Sequence, residues 1–121
     1  IKLPATQVDV RFRWCRSGVY DLYQVTINNT FPSENDCDMF IMVLQQQWPT
    51  FIDQLPGAEL RIFRPEKDRN VMQASWILQS KEQADKMQAM GNQIIIPYRK
   101  KLMPKSTRFE GALVATVNNG H

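Results

Sequence analysis

From Val8 the chain alternates strictly. Val8, Val10, Phe12 and Trp14 fall on one side and Asp9, Arg11 and Arg13 on the other. That period of two predicts a strand with one face in a core. Arg16-Ser17-Gly18 supplies turn chemistry, and VYDLYQVTIN, residues 19 to 28, predicts a second strand with Tyr23, Val25 and Ile27 on a common face. The two read as an N-terminal hairpin, preceded by a tail over residues 1 to 7.

The period then changes. Phe31-Pro32-Ser33 ends the strand and begins a helix, with Ser33 and Asp36 spaced as in a capping box. Cys37, Phe40, Ile41, Leu44, Trp48, Phe51, Ile52 and Leu55 recur at helical spacing and form one stripe. Pro49 lies inside it and predicts a kink or split, because it has no N–H to give residue 45. Leu55-Pro56-Gly57 stops the helix.

Ala58 to Phe63 and Val71 to Leu78 predict two more strands around the polar RPEKDRN. On the second, Met72, Ala74, Trp76 and Leu78 alternate with Gln73 and Ser75. Ser80-Lys81-Glu82-Gln83 is a capping box for a second long helix. Its stripe runs Ala84, Met87, Gly91, Ile94 or Ile95, Tyr98 and Leu102, with Gly91 and Pro97 open to dividing it in two. FEGALVATV, residues 109 to 117, predicts a last strand, and 118 to 121 a tail.

Without the first hairpin strand the order is strand, helix, strand, strand, helix, strand. That order predicts one α+β domain over residues 8 to 117, ferredoxin-like βαββαβ, with an antiparallel sheet, both helices on one face and an extra N-terminal strand. The other face is expected to need a cover, since Trp, Met and Val alternate along its strands.

Composition narrows the function classes. The 121 residues are 43% hydrophobic and 22% charged, which suits an ordinary folded core. The longest apolar run, MFIMVL at 39 to 44, is too short to cross a membrane. The chain begins at Ile1, so targeting is not judged from this end. Fifteen basic and twelve acidic side chains leave a mild +3. The one basic cluster, RKKLMPKSTR at 99 to 108, carries Arg99, Lys100, Lys101, Lys105 and Arg108. It reads as a solvated helix end, where cations suit the dipole. No aromatic residues interleave with it as single-strand binders require, so nucleic acid is not the expected partner.

Cys15 and Cys37 stand at no metal-binding spacing, and the one histidine is His121. No zinc site is expected, and reduced thiols in a cytoplasmic protein are the default reading. Asn28-Asn29-Thr30 matches the glycosylation pattern, which matters only for a secreted chain. No Ser-His-Asp, Cys-His or paired-carboxylate constellation, GxGxxG or P-loop is present, so hydrolase chemistry and nucleotide binding have no support.

LPGAELRIFRPEKDRNVMQASWILQSKEQADKM, residues 55 to 87, resembles the antibiotic-biosynthesis-monooxygenase-like family of dimeric α/β barrels. The likeness rests on Pro56-Gly57 before a strand, the short 64 to 70 turn, Trp76 near the end of the next strand, and Glu82 to Ala84 opening a helix. It covers residues 19 to 117. The resemblance implies a homodimer packed sheet to sheet, with a pocket between each sheet and its own helices. Tyr23, Trp48, Trp76 and Tyr98 are the candidates to line that pocket, joined by Met87 and Met90. Arg61, Asn29 and Gln73 are the polar guesses. The same four rings also suit a plain core.

Haem-degrading members place an iron-ligating histidine where this chain has Lys86, between Asp85 and Met87, so haem chemistry is not expected. Cofactor-free members oxidise aromatic polyketides with help from a tryptophan and polar side chains. Trp76 and Asn29 are the catalytic candidates for that role, with Asn28, Tyr23 and Arg61 further ways to place a phenolate. The resulting expectation is a dimeric barrel with a pocket for a small apolar or aromatic molecule, monooxygenase-like and without cofactor or metal. The alternative is a non-catalytic ligand-binding or assembly protein of the same fold. RNA-recognition domains share the strand order, but VMQASWIL lacks their glycine and alternating aromatics.

Overall fold

The computed structural model describes residues 22–119. The expected strand at Val8 to Trp14, the tail at 1 to 7, Cys15 and His121 lie outside the described residues. The elements run β1 (Tyr23–Thr30), α1 (Glu34–Phe51), a 3₁₀ turn (Ile52–Gln54), β2 (Glu59–Phe63), β3 (Val71–Leu78), α2 (Lys81–Ile94), α3 (Ile96–Leu102) and β4 (Lys105–Ala112).

Local chemistry explains the boundaries. The Ser33 hydroxyl accepts the Asp36 N–H at 3.1 Å and starts α1. Ser80 does the same for the Gln83 N–H at 3.0 Å, and the Gln83 side chain accepts from the Gln79 N–H at 2.8 Å. Gly57, at φ 81°, makes the left-handed turn into β2 that a side chain would resist. Arg64 fastens the loop after β2 onto α1, meeting Asp38 at 2.6 Å and donating to the Arg69 carbonyl at 2.9 Å.

Pro49 does not split α1. The helix runs through it to Phe51 and then tightens into the 3₁₀ turn, with the Ile52 N–H donating to the Trp48 carbonyl. A proline this close to the helix end removes one N–H while Trp48 stays anchored in the core. The division expected around Gly91 to Pro97 is present, since α2 ends at Ile94 and α3 has its proline in the first turn. The last strand starts earlier than the apolar pattern suggests, at Lys105, and ends at Ala112. Met103 takes the left-handed conformation at φ 53°, Pro104 prevents further helix, and the polar run Lys105 to Arg108 pairs at once with β1.

The four strands form one antiparallel sheet in the order β2-β3-β1-β4. With both long helices packed against the sheet, this is the ferredoxin-like α+β arrangement. Residues facing each other across the ladder share a side of the sheet. Val25 therefore lies beside Trp76, and Asn29 beside both Met72 and Ser106, all on the helix side. The core sits there.

This corrects the reason given for a cover on the opposite face. The alternating Val25, Met72 and Trp76 point at the helices and are at most 2% exposed. The open face is instead built from Gln24, Thr26, Asn28, Gln73 and Ser75, flanked by Phe63, Ile77 and Phe109. The apolar side chains on this face are those three and Val71, at the start of β3.

Candidate functional site

Between the helix side of β1 and β3 and the three helices lies a cavity of about 220 Å³. Small residues make the room. Ala74 stands on β3 where its neighbours carry Met72 and Trp76, and Gly91 on α2 leaves a gap that an added Cβ would fill, 3.7 Å from the Trp48 ring. The apolar wall is Leu44, Trp48, Trp76, Met87 and Ile95. Trp48 and Trp76 meet edge to face, ring centroids 4.7 Å apart at 75°, the geometry that places one ring's positive edge on the other's negative face.

The polar end is built by α3, β1 and β4. Asn29, only 1% exposed, takes two donors on its Oδ1: Nη1 of Arg99 at 2.8 Å and the Ser106 hydroxyl at 2.6 Å. Its amide donates to the Met72 sulfur at 3.3 Å. Arg99 also donates to Ser106 and lies 6.0 Å from the Phe40 ring centroid, over its face. Burial lowers the Arg99 pKa from its ordinary value, and a guanidinium remains charged at any physiological pH. Arg108 also borders the cavity and pairs with Glu110 at 2.6 Å.

The structure brings Trp48, Trp76, Met87 and Asn29 to this one cavity. The five other residues expected there lie elsewhere. Arg61 is on the open face, because β2 turns Leu60 and Ile62 inward and Glu59, Arg61 and Phe63 outward; it pairs with Glu59 at 3.0 Å. Tyr23 sits at the far end of β1, its hydroxyl 3.5 Å from Glu110, beside a separate pocket with Leu22 and Phe109. Tyr98 is half-buried on α3 and takes no part in the wall, since Ile95, Arg99 and Leu102 hold the inward positions. Met90 packs against the core outside the cavity. Gln73 faces the open side and donates to Asn28 at 2.9 Å. Lys86 is exposed, as expected, and donates to the Gln54 carbonyl at 3.1 Å.

Arg99 borders the cavity, although the sequence pattern assigns it to a solvated basic cluster. A signal was present: Gly91, Ile95, Arg99 and Leu102 continue one helical stripe, so a charge falls in an apolar register. Ser106 carries no such signal, because only the pairing of β4 with β1 sets it opposite Asn29.

Chemically, the cavity offers a flat aromatic wall and one cationic end. Among the described residues its wall holds no Asp, Glu, His, Cys or Lys, so no conventional proton-transfer pair is present. No group of three or more metal-ligating side chains is placed to hold an ion among the described residues. None of the described helices is long and apolar enough to cross a membrane. Trp76 faces the helices, so β3 presents no ring on the open face where RNA-recognition sheets stack bases.

No family model matches the sequence, and no curated protein matches it either. Solved structures do. A dimeric ferredoxin-like protein from an uncultured marine organism superposes with a TM-score of 0.67 at 17% identity, over 87% of this chain and 98% of that one. A second such protein gives 0.65 at 10% identity, over 80% and 99%. SnoaB, a cofactor-independent oxygenase from Streptomyces nogalater, gives 0.60 at 13% identity, over 82% and 99%. The shared property is the fold. At such identities the match speaks for the ferredoxin-like architecture and is silent on activity.

Proposed function

We propose that this protein binds a small, flat, largely apolar molecule in the cavity beside Trp48 and Trp76, and acts on it as a cofactor-free oxygenase. The observation that carries the reading is the cavity itself. It is walled by two indoles in edge-to-face contact, bordered at one end by the Asn29–Arg99–Ser106 cluster, and sized for a molecule of one or two rings. The chemistry is proposed by analogy with SnoaB, a cofactor-independent oxygenase that shares the fold.

With no base among the described residues of the wall, the substrate is left to supply its own acidity. A hydroxyarene bound with its oxygen toward Arg99 ionises more readily there, because the guanidinium favours the anion. The electron-rich anion then reacts with dioxygen. For 1-naphthol the balanced change is one O₂ consumed, one oxygen retained in 1,4-naphthoquinone, and the other leaving as water with the two hydrogens lost. Trp76 orients the ring, and Asn29 fixes the guanidinium.

A second reading, binding without turnover, is favoured by that same missing base. An oxygen electrode separates the two. Oxygen uptake matched by naphthoquinone, and lost in Trp76→Ala, supports the oxygenase. Calorimetric binding of 1-naphthol with no uptake above the uncatalysed rate leaves the ligand-binding reading standing and removes the oxygenase.

We further propose a homodimer through the open sheet face. Its support is the dimeric state of the structural neighbours and the position of Phe63 and Phe109, 51% and 59% exposed, on that largely polar face.

A further inference from the structure

We infer that the guest of this cavity is an organic monoanion, a carboxylate on a flat apolar body, and that Arg99 is its receptor. The inference rests on the pocket reading above, not on turnover, and takes a carboxylate rather than a phenolate as the oxygen group at Arg99.

A guanidinium withdrawn from water needs compensation, and its most effective partner is an anionic oxygen. Elsewhere the chain provides this: Arg61 has Glu59, Arg64 has Asp38 and Arg108 has Glu110. Arg99 is half-buried, yet no carboxylate meets it among the described residues. It gives one hydrogen bond to the Asn29 carbonyl oxygen and one to the Ser106 hydroxyl, both neutral acceptors. Those two bonds and the Phe40 ring hold the fork in place; they do not neutralise it.

The fork stands in the wall of a cavity whose other described lining is aromatic and aliphatic side chains, neutral amides and hydroxyls, with Arg108 the one further charge. Arg108 is already balanced by Glu110, so the polar end carries about one uncompensated positive charge. One charge suits a carboxylate rather than a phosphate dianion, and the planar fork matches a carboxylate's two oxygens. The rings of Trp48 and Trp76 take the apolar body. Asn29 and Ser106 act as positioning residues, each able to reach the other and Arg99 at once.

The test is isothermal titration calorimetry at neutral pH with 2-naphthoate and its neutral isostere 2-naphthamide, on the unmodified protein, Arg99→Met and Arg99→Lys. A charge-assisted hydrogen bond in a poorly solvated site predicts that naphthoate binds at least about tenfold tighter than naphthamide. That preference should vanish in Arg99→Met and survive in part in Arg99→Lys. Equal binding of the two probes, or naphthamide the tighter, overturns the anion receptor and leaves the aromatic pocket intact. An undiminished preference in Arg99→Met also overturns it, by moving the charge elsewhere. If neither probe binds, the pocket reading and this inference fall together. The comparison of isosteres on the unmodified protein needs no variant to fold.

Discussion

The indole of Trp48 on α1 meets that of Trp76 on β3 edge to face, ring centroids 4.7 Å apart. One contact thus joins the helix layer to the sheet and also forms the wall of the cavity. The two rings are 4% and 2% exposed, so core and site are the same residues seen from two sides. The choice between active-site wall and core filler, open when only the sequence is read, has no single answer here.

A first prediction follows for stability. Trp76→Ala removes the largest side chain on the inner face of β3 and should cost about 3–5 kcal/mol, as other buried aromatic truncations do. Trp76→Phe should cost less, because a ring remains against Trp48. Urea denaturation followed by circular dichroism measures both. A loss below about 1 kcal/mol for the alanine variant would mean that the ring contributes little packing.

Gly91 gives the opposite sign. An alanine methyl there would sit at ordinary contact distance from Trp48, 3.7 Å, in the interior of α2. Gly91→Ala should therefore stabilise the protein by about 0.5–1 kcal/mol through helix propensity. The same methyl occupies cavity space, so affinity for a bound aromatic should fall as stability rises. Thermal unfolding alongside calorimetry with 2-naphthol checks that the two move in opposite directions.

Asn29→Leu removes the oxygen shared by Arg99 and Ser106, which leaves the half-buried guanidinium short of an acceptor while the exposed Ser106 hydroxyl keeps access to water. A loss of about 1–3 kcal/mol is expected, mainly from the guanidinium. Asn29→Asp supplies a carboxylate beside the guanidinium instead. It should preserve more stability than Asn29→Leu while abolishing any preference for anionic ligands, because the charge is then met from within. Denaturation curves and the naphthoate titration read these effects separately.

Cys37 supplies a pH dependence whose sign can be worked out. Burial raises its thiol pKa above the ordinary value. The unfolded chain therefore releases the proton first as pH rises. The stabilisation is fully present below the ordinary cysteine pKa and is lost as pH climbs toward the folded value. Stability should decline in the alkaline range, and Cys37→Ser should flatten that part of the profile. Iodoacetamide should label Cys37 slowly in the native protein and fast in denaturant.

Much of the architecture was legible in the sequence for local reasons. The inner alternation of β3, Met72, Ala74, Trp76 and Leu78, and the caps at Ser33 and Ser80 depend only on neighbours in sequence. What local pattern misled was side and register. Arg61 falls on the open face because a short strand alternates equally well either way, and only pairing of Arg61 with Ser75 settles it. Lys105 to Arg108 looked like a helix end, although β1 recruits that polar run as a strand. The cluster of Asn29, Arg99 and Ser106 draws on three elements spread over 77 positions, so no window of sequence contains it.

The dimer has its own test. Phe109→Glu places a charge on the open face without touching the core, and light scattering should report a dimer for the unmodified chain and a weakened one for the variant. A unmodified chain that is monomeric at micromolar concentration would contradict the proposed interface.

The central claim, that the cavity beside Trp48 and Trp76 takes a small aromatic molecule, is tested most directly by methyl NMR on methionine-labelled protein. Met87 borders the cavity, whereas Met39, Met42 and Met103 are exposed on the outer surface. Titration with 2-naphthol should shift the Met87 methyl resonance strongly and saturably, by ring current, while the three outer methyls stay in place. Shifts confined to the outer methyls, or an unmoved Met87 at saturating naphthol, would contradict the account.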